Sequence, residues 1–122
     1  ALPGAFTPTC SNQHLPGFIN KAGDLNAKGV DLIACLSVND AFVMDAWGKA
    51  QGADDKVMML GDGNGDFTKA VGLGFDGSGF GMGTRSLRYS MLIEDGVVKS
   101  LNQEENPGEA KASGVEHMLT LV

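Results

Sequence analysis

Residues 30–38 read VDLIACLSV, a nearly continuous apolar run that contains several β-branched residues. Such a run is typical of a strand that is covered on both faces, as in a parallel sheet. Asn39 and Asp40 follow it as helix-capping residues. Apolar residues then mark one face of a helix: Phe42, Val43, Ala46, Trp47 and Ala50. A second short apolar run, VMML at 57–60, comes next, and the order strand, helix, strand predicts a right-handed βαβ unit.

The remaining pattern extends this unit on both sides. Residues 11–27 form one predicted helix near period 3.6, with a kink at Pro16 because proline removes a helical hydrogen bond. Downstream we expect a short helix over 66–71, a glycine-rich loop over 72–83, a β-hairpin of 87–93 and 97–101 with an Asp95-Gly96 turn, and a final helix over 109–121. Strands that alternate with helices before an antiparallel hairpin predict an α/β sandwich with a mixed sheet, formed by one domain over 1–122.

Composition and charge narrow the functional classes. The 122 residues carry a net charge of -6, and the nine basic residues are scattered rather than clustered. Binding to phosphate groups requires clustered Lys and Arg, so nucleic acid and anionic membrane surfaces are not expected as partners. No apolar stretch reaches the roughly 18 residues that suggest a transmembrane helix.

Cys10 lies in a polar, proline-marked segment that differs from the apolar surroundings of Cys35. Pro8 turns the chain, Thr9 is a good N-cap residue, and Cys10 would then occupy the first helical turn. The helix N-terminus carries about half a positive charge and unpaired N–H groups, and both stabilise a thiolate over a thiol. A reactive Cys10 is one interpretation, and a helix cap with an incidental cysteine is the other.

Two glycine-rich motifs resemble ligand-binding loops but lack the required context. Residues 72–77 match G-x-G-x-x-G, yet they follow a helix pattern and precede a strand, whereas a dinucleotide site needs the opposite order. Residues 62–66, DGNGD, resemble the start of a calcium loop, but Phe67 and Leu73 stand where that loop needs Gly and Glu. A turn that caps the following helix is the better interpretation of 62–66.

Histidine and cysteine positions give no metal pattern. His14 and His117 could join Cys10 and Cys35 only across four separate segments, and their spacings match no zinc motif. His14 lies four residues after Cys10, so one helical turn could bring the two side chains near each other, as a Cys–His hydrolase pair would require. We expect no metal site, and a lone His beside a Cys is weak support for a hydrolase.

Three separated stretches resemble the type II peroxiredoxins, also called peroxiredoxin V-like. The P-x-x-x-T-x-x-C motif of peroxiredoxins occurs within PGAFTPTCSNQHLPGF at 3–18. Two further stretches are similar to the same subfamily: ACLSVNDAFVMDAW at 34–47 and RSLRYSMLIEDGVV at 85–98. The resemblance implies a thioredoxin-like three-layer sandwich with a mixed central sheet. It also implies a thiol peroxidase of antioxidant defence, which reduces hydrogen peroxide and organic hydroperoxides through a Cys10 sulfenic acid.

The resemblance also implies roles for individual residues. Cys10 is the peroxidatic nucleophile, Thr7 bonds the thiolate and the incoming peroxide, and Pro3 packs over the sulfur and shields it. Arg88 is the active-site arginine because it directly precedes an aromatic residue, as in the family's R-[FY] pair. Arg85 is the rival, and the odd spacing from Arg88 would point the two side chains to opposite faces of an extended strand.

The electron donor is less determined than the nucleophile. The resemblance implies no prosthetic cofactor, only a thiol co-substrate, either glutathione with glutaredoxin or thioredoxin. The late resolving cysteine of animal members is absent, and Cys35 matches a cysteine that some plant members use. Because Cys35 lies in a run that predicts burial, we favour a one-cysteine cycle and keep a Cys10–Cys35 disulfide as the alternative.

Further expectations concern the wider context of the chain. Type II relatives commonly pair near the active site, and the glycine-rich loop contains Phe75, Phe80 and Met82. Such an apolar patch indicates either a homodimer interface or a loop folded over its own core. The family's N-terminal strands precede the proline motif and are absent here, so we expect an N-terminally truncated domain. A cytoplasmic location is expected, with an organelle as the alternative. The competing functional class is a thioredoxin-fold interaction domain without catalysis.

Overall fold

The βαβ unit predicted around residue 40 is present. Strands β1 (Ala34–Ser37) and β2 (Met58–Gly61) pair in parallel, and helix α3 (Ala41–Gln51) connects them. The computed structural model describes residues 1–122. The Asp40 carboxylate accepts a hydrogen bond from the Val43 N–H at 2.8 Å, so Asp40 caps α3 as predicted.

Strand β1 is shorter than the apolar run that predicted it. Residues 30–33 lie outside the strand, and Leu32 is 61% exposed. Within β1 the side chains of Cys35 and Ser37 are buried, whereas Ala34 is exposed. The expectation of a strand covered on both faces was therefore wrong, because only the face that carries Cys35 packs on the core.

The buried face of α3 also differs from the predicted one. Met44, Trp47 and Gly48 are buried, while Phe42 is 88% exposed. A side chain at position 48 would come within 2.7 Å of Met59 Cγ, so the absence of one lets α3 pack closely on β2. The face of α3 that contains Gly48 therefore packs on β2. A pattern of apolar residues does not predict this, because glycine has no apolar side chain.

The predicted helix over 11–27 is divided into three parts. A π-helical turn (Cys10–His14) leads into α1 (Leu15–Asn20), and α2 (Ala22–Ala27) follows. The wide turn comes immediately before the segment that contains Pro16, which has no N–H for a regular helical bond. The chain then leaves helical geometry at Lys21. The prediction of one helix with a single kink at Pro16 was therefore wrong. The region around Pro16 is irregular, but it consists of a π-helical turn and two separate helices.

The second half of the chain contains short elements: α4 (Asp66–Ala70), β3 (Gly74–Asp76), β4 (Thr84–Ser86), β5 (Tyr89–Glu94), β6 (Val97–Gln103) and α5 (Val115–Leu121). The predicted hairpin is confirmed: β5 and β6 pair antiparallel, and Asp95 and Gly96 both have positive φ at its turn. The region 72–83 is not purely a loop, because β3 pairs antiparallel with β4. The final helix begins at 115 rather than 109.

The hydrogen-bonded strands form three two-stranded sheets, β1–β2, β3–β4 and β5–β6, and so include both parallel and antiparallel pairs. Two N-terminal residues bridge the first and the last of these sheets. The Leu2 N–H donates to the Leu36 carbonyl at 3.2 Å, and the Tyr89 N–H donates to the Ala1 carbonyl at 3.1 Å. The order across this region is therefore β2, β1, the Ala1–Leu2 segment, β5, β6.

The main hydrophobic core forms where the N-terminal helical region meets β1 and α3. Its buried members are Leu2, Cys10, Leu15, Ile19, Cys35, Met44, Trp47, Ala53 and Val57. Both cysteines thus belong to one cluster. None of the helices combines the length and the apolar character needed to cross a membrane.

Candidate active site

Cys10 lies in the first turn of the N-terminal helical region. The predicted cap at Thr9 was wrong: Pro8 and Thr9 are already helical, and the Thr9 hydroxyl donates to the Gly108 carbonyl at 3.2 Å. Pro8 suits the first helical position, where an N–H would have no helical partner. The prediction that Cys10 occupies the first turn therefore holds, with the helix beginning slightly earlier.

The Cys10 sulfur is enclosed and faces a guanidinium group. The residue has 0% exposed surface, and the Arg88 Nη2 lies 3.3 Å from Sγ, where it donates a hydrogen bond. Arg88 is itself buried, immediately before β5. The guanidinium and the sulfur are therefore in direct contact in a buried site, where solvent screens their electrostatic interaction little.

Arg88 is held by contacts at every part of its fork. Its Nε donates to the Pro107 carbonyl at 3.2 Å, and its Nη1 donates to His14 Nδ1 at 3.1 Å. Its backbone carbonyl accepts from the Glu104 N–H at 3.0 Å. Since Nε and Nη1 are both engaged, the plane of the guanidinium is fixed and Nη2 points at the Cys10 sulfur.

His14 serves as a neutral acceptor for Arg88. The ring is buried, and Nε2 lies 3.0 Å from the Ser113 carbonyl, which can only accept. Nε2 therefore carries the hydrogen, and Nδ1 is free to accept from Arg88. Burial lowers the pKa of His14 to about 3, and nearby cations, Arg88 among them, act in the same direction. The ring is uncharged near neutral pH, which avoids two cations in contact.

The Cys–His pairing considered from the sequence was wrong. Both ring nitrogens of His14 are bonded elsewhere, one to Ser113 and the other to Arg88. His14 therefore contacts the residue that faces the sulfur rather than the sulfur itself. His117 is exposed on α5.

Thr7 shapes the loop that precedes Cys10. Its hydroxyl donates to the Gly4 carbonyl at 2.6 Å, so its hydrogen is directed at that carbonyl rather than at the Cys10 sulfur. Asn39 holds the same loop from β1's side, because its side-chain oxygen accepts from the Ala5 N–H at 3.0 Å. The Thr7 oxygen retains its lone pairs and can still accept a hydrogen bond from a bound molecule.

The second arginine lies at the rim of the site. Arg85 is half-buried; its Nη1 donates to the Pro3 carbonyl at 3.3 Å and its Nε donates to the Met82 carbonyl at 2.9 Å. The two arginines thus contact different groups: Arg88 reaches Cys10, and Arg85 reaches the backbone of the loop that carries Pro3. Pro3 is also half-buried.

Cys35 lies on β1, in the same core cluster as Cys10, and both cysteines are free thiols. Burial raises the pKa of Cys35 to about 11. The Cys35 thiol is therefore protonated near neutral pH and behaves as a small apolar side chain.

Sequence reasoning missed two residues that complete the site. The Ser113 N–H and hydroxyl both donate to Glu104 Oε2, each at 2.6 Å, and the Ser113 carbonyl accepts from His14. His14 and Ser113 are 99 residues apart in the chain. No local pattern signals such a contact, although the one-turn spacing of Cys10 and His14 did indicate that both face the same region.

Asp62 shows which interpretation of the calcium-like motif at 62–66 is right. Its carboxylate accepts from the N–H groups of Phe67 at 3.1 Å and Thr68 at 2.8 Å. The interpretation of 62–66 as a turn that caps the following helix is therefore confirmed. The G-x-G-x-x-G segment at 72–77 follows α4 and contains β3, whereas a dinucleotide site needs this motif between a strand and a helix.

Comparison with known proteins gives concordant results. The redoxin family model matches residues 1–119. The chain is 57% identical over 121 residues to peroxiredoxin-2E, chloroplastic, of Arabidopsis thaliana, which covers 98% of this chain and 51% of that protein. It is 58% identical over 122 residues to peroxiredoxin-2E-2, chloroplastic, of Oryza sativa subsp. japonica. This match covers 98% of this chain and 54% of that protein. The chain thus spans about half the length of these two relatives.

A solved structure extends the comparison to three dimensions. Reduced Prx3 in complex with H2O2 from Vibrio vulnificus superimposes with a TM-score of 0.93 at 56% identity, covering 99% of this chain and 77% of that one. This match confirms the thioredoxin-like α/β fold that was expected from the sequence. Together the family model, the relatives and the superposition establish that this chain belongs to the redoxin family, as a type II peroxiredoxin.

Proposed function

We propose that this protein is a thiol peroxidase that reduces hydrogen peroxide and organic hydroperoxides through Cys10. The observation that carries the proposal is the buried hydrogen bond from Arg88 Nη2 to the Cys10 sulfur. Membership of the peroxiredoxins supports it, as does the H2O2 bound to the Vibrio vulnificus relative. No prosthetic cofactor takes part, because the sulfur itself carries the redox change.

The chemical step is an in-line attack of sulfur on the peroxide O–O bond. The S–O bond forms as the O–O bond breaks, so sulfur is oxidised to a sulfenic acid and the peroxide is reduced. The departing oxygen takes up the proton that the Cys10 thiol released, and leaves as water or an alcohol. Negative charge moves from sulfur to this oxygen, and Arg88 can contact both because Nη2, which faces Cys10, carries two N–H groups.

Thr7 and Pro3 are proposed to position the peroxide. The Thr7 hydroxyl hydrogen is directed at the Gly4 carbonyl, which leaves its oxygen as an acceptor for the peroxide O–H. Arg85 holds the carbonyl of Pro3 at the rim, and we propose that the Pro3 ring shields the sulfur from water. In this arrangement Arg85 supports the rim, and Arg88 supports the reaction.

For the return half of the cycle we propose a one-cysteine route, in which glutathione or glutaredoxin attacks the Cys10 sulfenic acid. Cys35 is buried on a hydrogen-bonded strand, and burial raises its pKa to about 11. A protonated thiol is a poor nucleophile, so Cys35 resolves the sulfenic acid slowly unless β1 opens. The alternative is a Cys10–Cys35 disulfide that thioredoxin reduces.

Mass spectrometry after one equivalent of hydrogen peroxide, without added thiol, distinguishes the two routes. We expect a sulfenic acid on Cys10 that dimedone traps and that glutathione converts to a mixed disulfide. A Cys35→Ser variant should give the same adducts and nearly unchanged turnover with glutathione. A loss of two hydrogens with a crosslinked Cys10–Cys35 peptide would instead establish the intramolecular disulfide.

A homodimer is a further proposal. Phe80 is 83% exposed and Phe42 is 88% exposed, while Phe75 and Met82 are half-buried. Large apolar side chains at the surface often mark interfaces. Sedimentation velocity over a range of concentrations should show a dimer that weakens when Phe80 is replaced by Ser. A monomer at the highest concentration contradicts this proposal.

The compartment stays a prediction. A cytoplasmic location was expected from the sequence, with an organelle as the alternative. The names of two relatives include the word chloroplastic, and this supports the organellar alternative.

A further inference from the structure

Glu104 is a buried carboxylate that the proposed reaction does not use directly. Its Oε2 accepts two hydrogen bonds of 2.6 Å, from the N–H and the hydroxyl of Ser113, and Ser113 has no exposed surface. Burying a carboxylate is costly unless it is well hydrogen-bonded. A pair of short, charge-assisted bonds to one residue fixes that residue's orientation firmly.

The bond between Glu104 and Ser113 determines how His14 is oriented. With its N–H and hydroxyl both held, Ser113 presents its carbonyl to His14 Nε2 at 3.0 Å. This carbonyl requires the hydrogen to lie on Nε2, so Nδ1 becomes the acceptor for Arg88 Nη1. A carboxylate that does not touch Cys10 thus selects the tautomer of the histidine that holds Arg88.

The same segment contacts Arg88 directly. The Glu104 N–H donates to the Arg88 carbonyl at 3.0 Å, and the Pro107 carbonyl accepts from Arg88 Nε at 3.2 Å. Residues 104–114 therefore hold the arginine through its backbone, through Nε and, by way of His14, through Nη1. Only the Nη2 edge, which faces Cys10, lies outside these contacts.

We propose that Glu104 is a positioning residue for Arg88, acting through Ser113 and His14. The inference rests on the proposed peroxidase function of Cys10. During the reaction one guanidinium must stay aligned with sulfur and with the departing oxygen, so its angle matters as well as its charge. Without Glu104 the Ser113 carbonyl is released, His14 can exchange tautomers, and Arg88 keeps its charge but loses its alignment.

The test compares two reactions of the same sulfur in the full chain. One is stopped-flow oxidation of Cys10 by hydrogen peroxide, and the other is alkylation by iodoacetamide, which needs the thiolate but breaks no O–O bond. We expect Glu104→Ala to lower the ratio of the two rate constants roughly tenfold or more, since even a misplacement of about 1 Å can cost about 10²-fold in rate. Glu104→Gln keeps an oxygen acceptor and should restore most of the ratio.

The controls separate positioning from folding. Glu105→Ala changes an exposed neighbouring carboxylate and should leave the ratio unchanged. Ser113→Ala removes only the hydroxyl bond to Glu104 and should lower the ratio less than Glu104→Ala, which provides a second variant if the first folds poorly. An unchanged ratio in folded Glu104→Ala or Ser113→Ala, whatever the change in thermal stability, overturns the proposal. If Cys10→Ser retains activity, the function itself fails instead.

Discussion

Replacement of Cys10 by Ser is expected to remove thiol-dependent consumption of hydrogen peroxide, down to the rate without protein. A serine hydroxyl stays protonated near neutral pH and cannot be oxidised to an analogue of the sulfenic acid. The Cys10 sulfur also accepts a hydrogen bond from Arg88 at 3.3 Å. The measurement is peroxide loss in the presence of a thiol donor.

The matched control for this experiment is Cys35→Ser. Both sites are buried, and each substitution exchanges a sulfur for an oxygen, so both variants impose a similar cost on the core. Under the one-cysteine route only the change at position 10 should remove activity. Wild-type activity in Cys10→Ser would show that the sulfur is not the nucleophile, and would favour a thioredoxin-fold interaction domain without catalysis.

Replacement of Arg88 by Met is expected to slow peroxide attack by about 10²–10³, as is typical when one transition-state donor is removed. Methionine fills a similar volume, so the loss reports the charge and the hydrogen bonds more than the packing. The substitution also leaves the Pro107 carbonyl and His14 without a partner. Stopped-flow measurement of Cys10 oxidation gives the rate constant directly.

Arg85→Met is the comparison for this second experiment. Arg85 lies on β4 and contacts the carbonyls of Pro3 and Met82, so its loss should disturb the rim and have a much smaller effect on rate. Arg88→Lys should fall between the two, because lysine keeps the charge without the planar fork. A larger loss from Arg85→Met than from Arg88→Met would reverse the assignment of the two arginines.

Local patterns predicted the elements of this fold better than their packing. The βαβ unit, the hairpin and the cap at Asp40 follow from short-range rules and are present. The buried face of α3 was wrong because it depends on how closely Gly48 approaches Met59. Strand β3 was missed because its partner β4 lies beyond a glycine-rich turn, and glycine spacing carries no pairing signal.

In the candidate site, too, local features could be predicted from the sequence and long-range contacts could not. Cys10 could be singled out because a helix start is a local feature with a known electrostatic effect. The choice of Arg88 over Arg85 came from the family resemblance and from strand parity, and the structure brings Arg88 to the sulfur. His14 was noticed for the wrong partner, and Glu104 and Ser113 were missed, because these contacts join segments far apart in the chain.

Cys10 has no exposed surface, and in the proposed cycle this gives the two half-reactions different requirements. A peroxide is small enough to enter through a brief opening, whereas a tripeptide or a protein can reach the sulfur only after Cys10 has moved away from Arg88. Between these events the sulfenic acid stays beside the group that activates peroxides, and a second peroxide would oxidise it irreversibly to the sulfinic acid. If Cys10 reacts as proposed, the contacts that promote its first oxidation also set the dose of oxidant at which the protein inactivates itself.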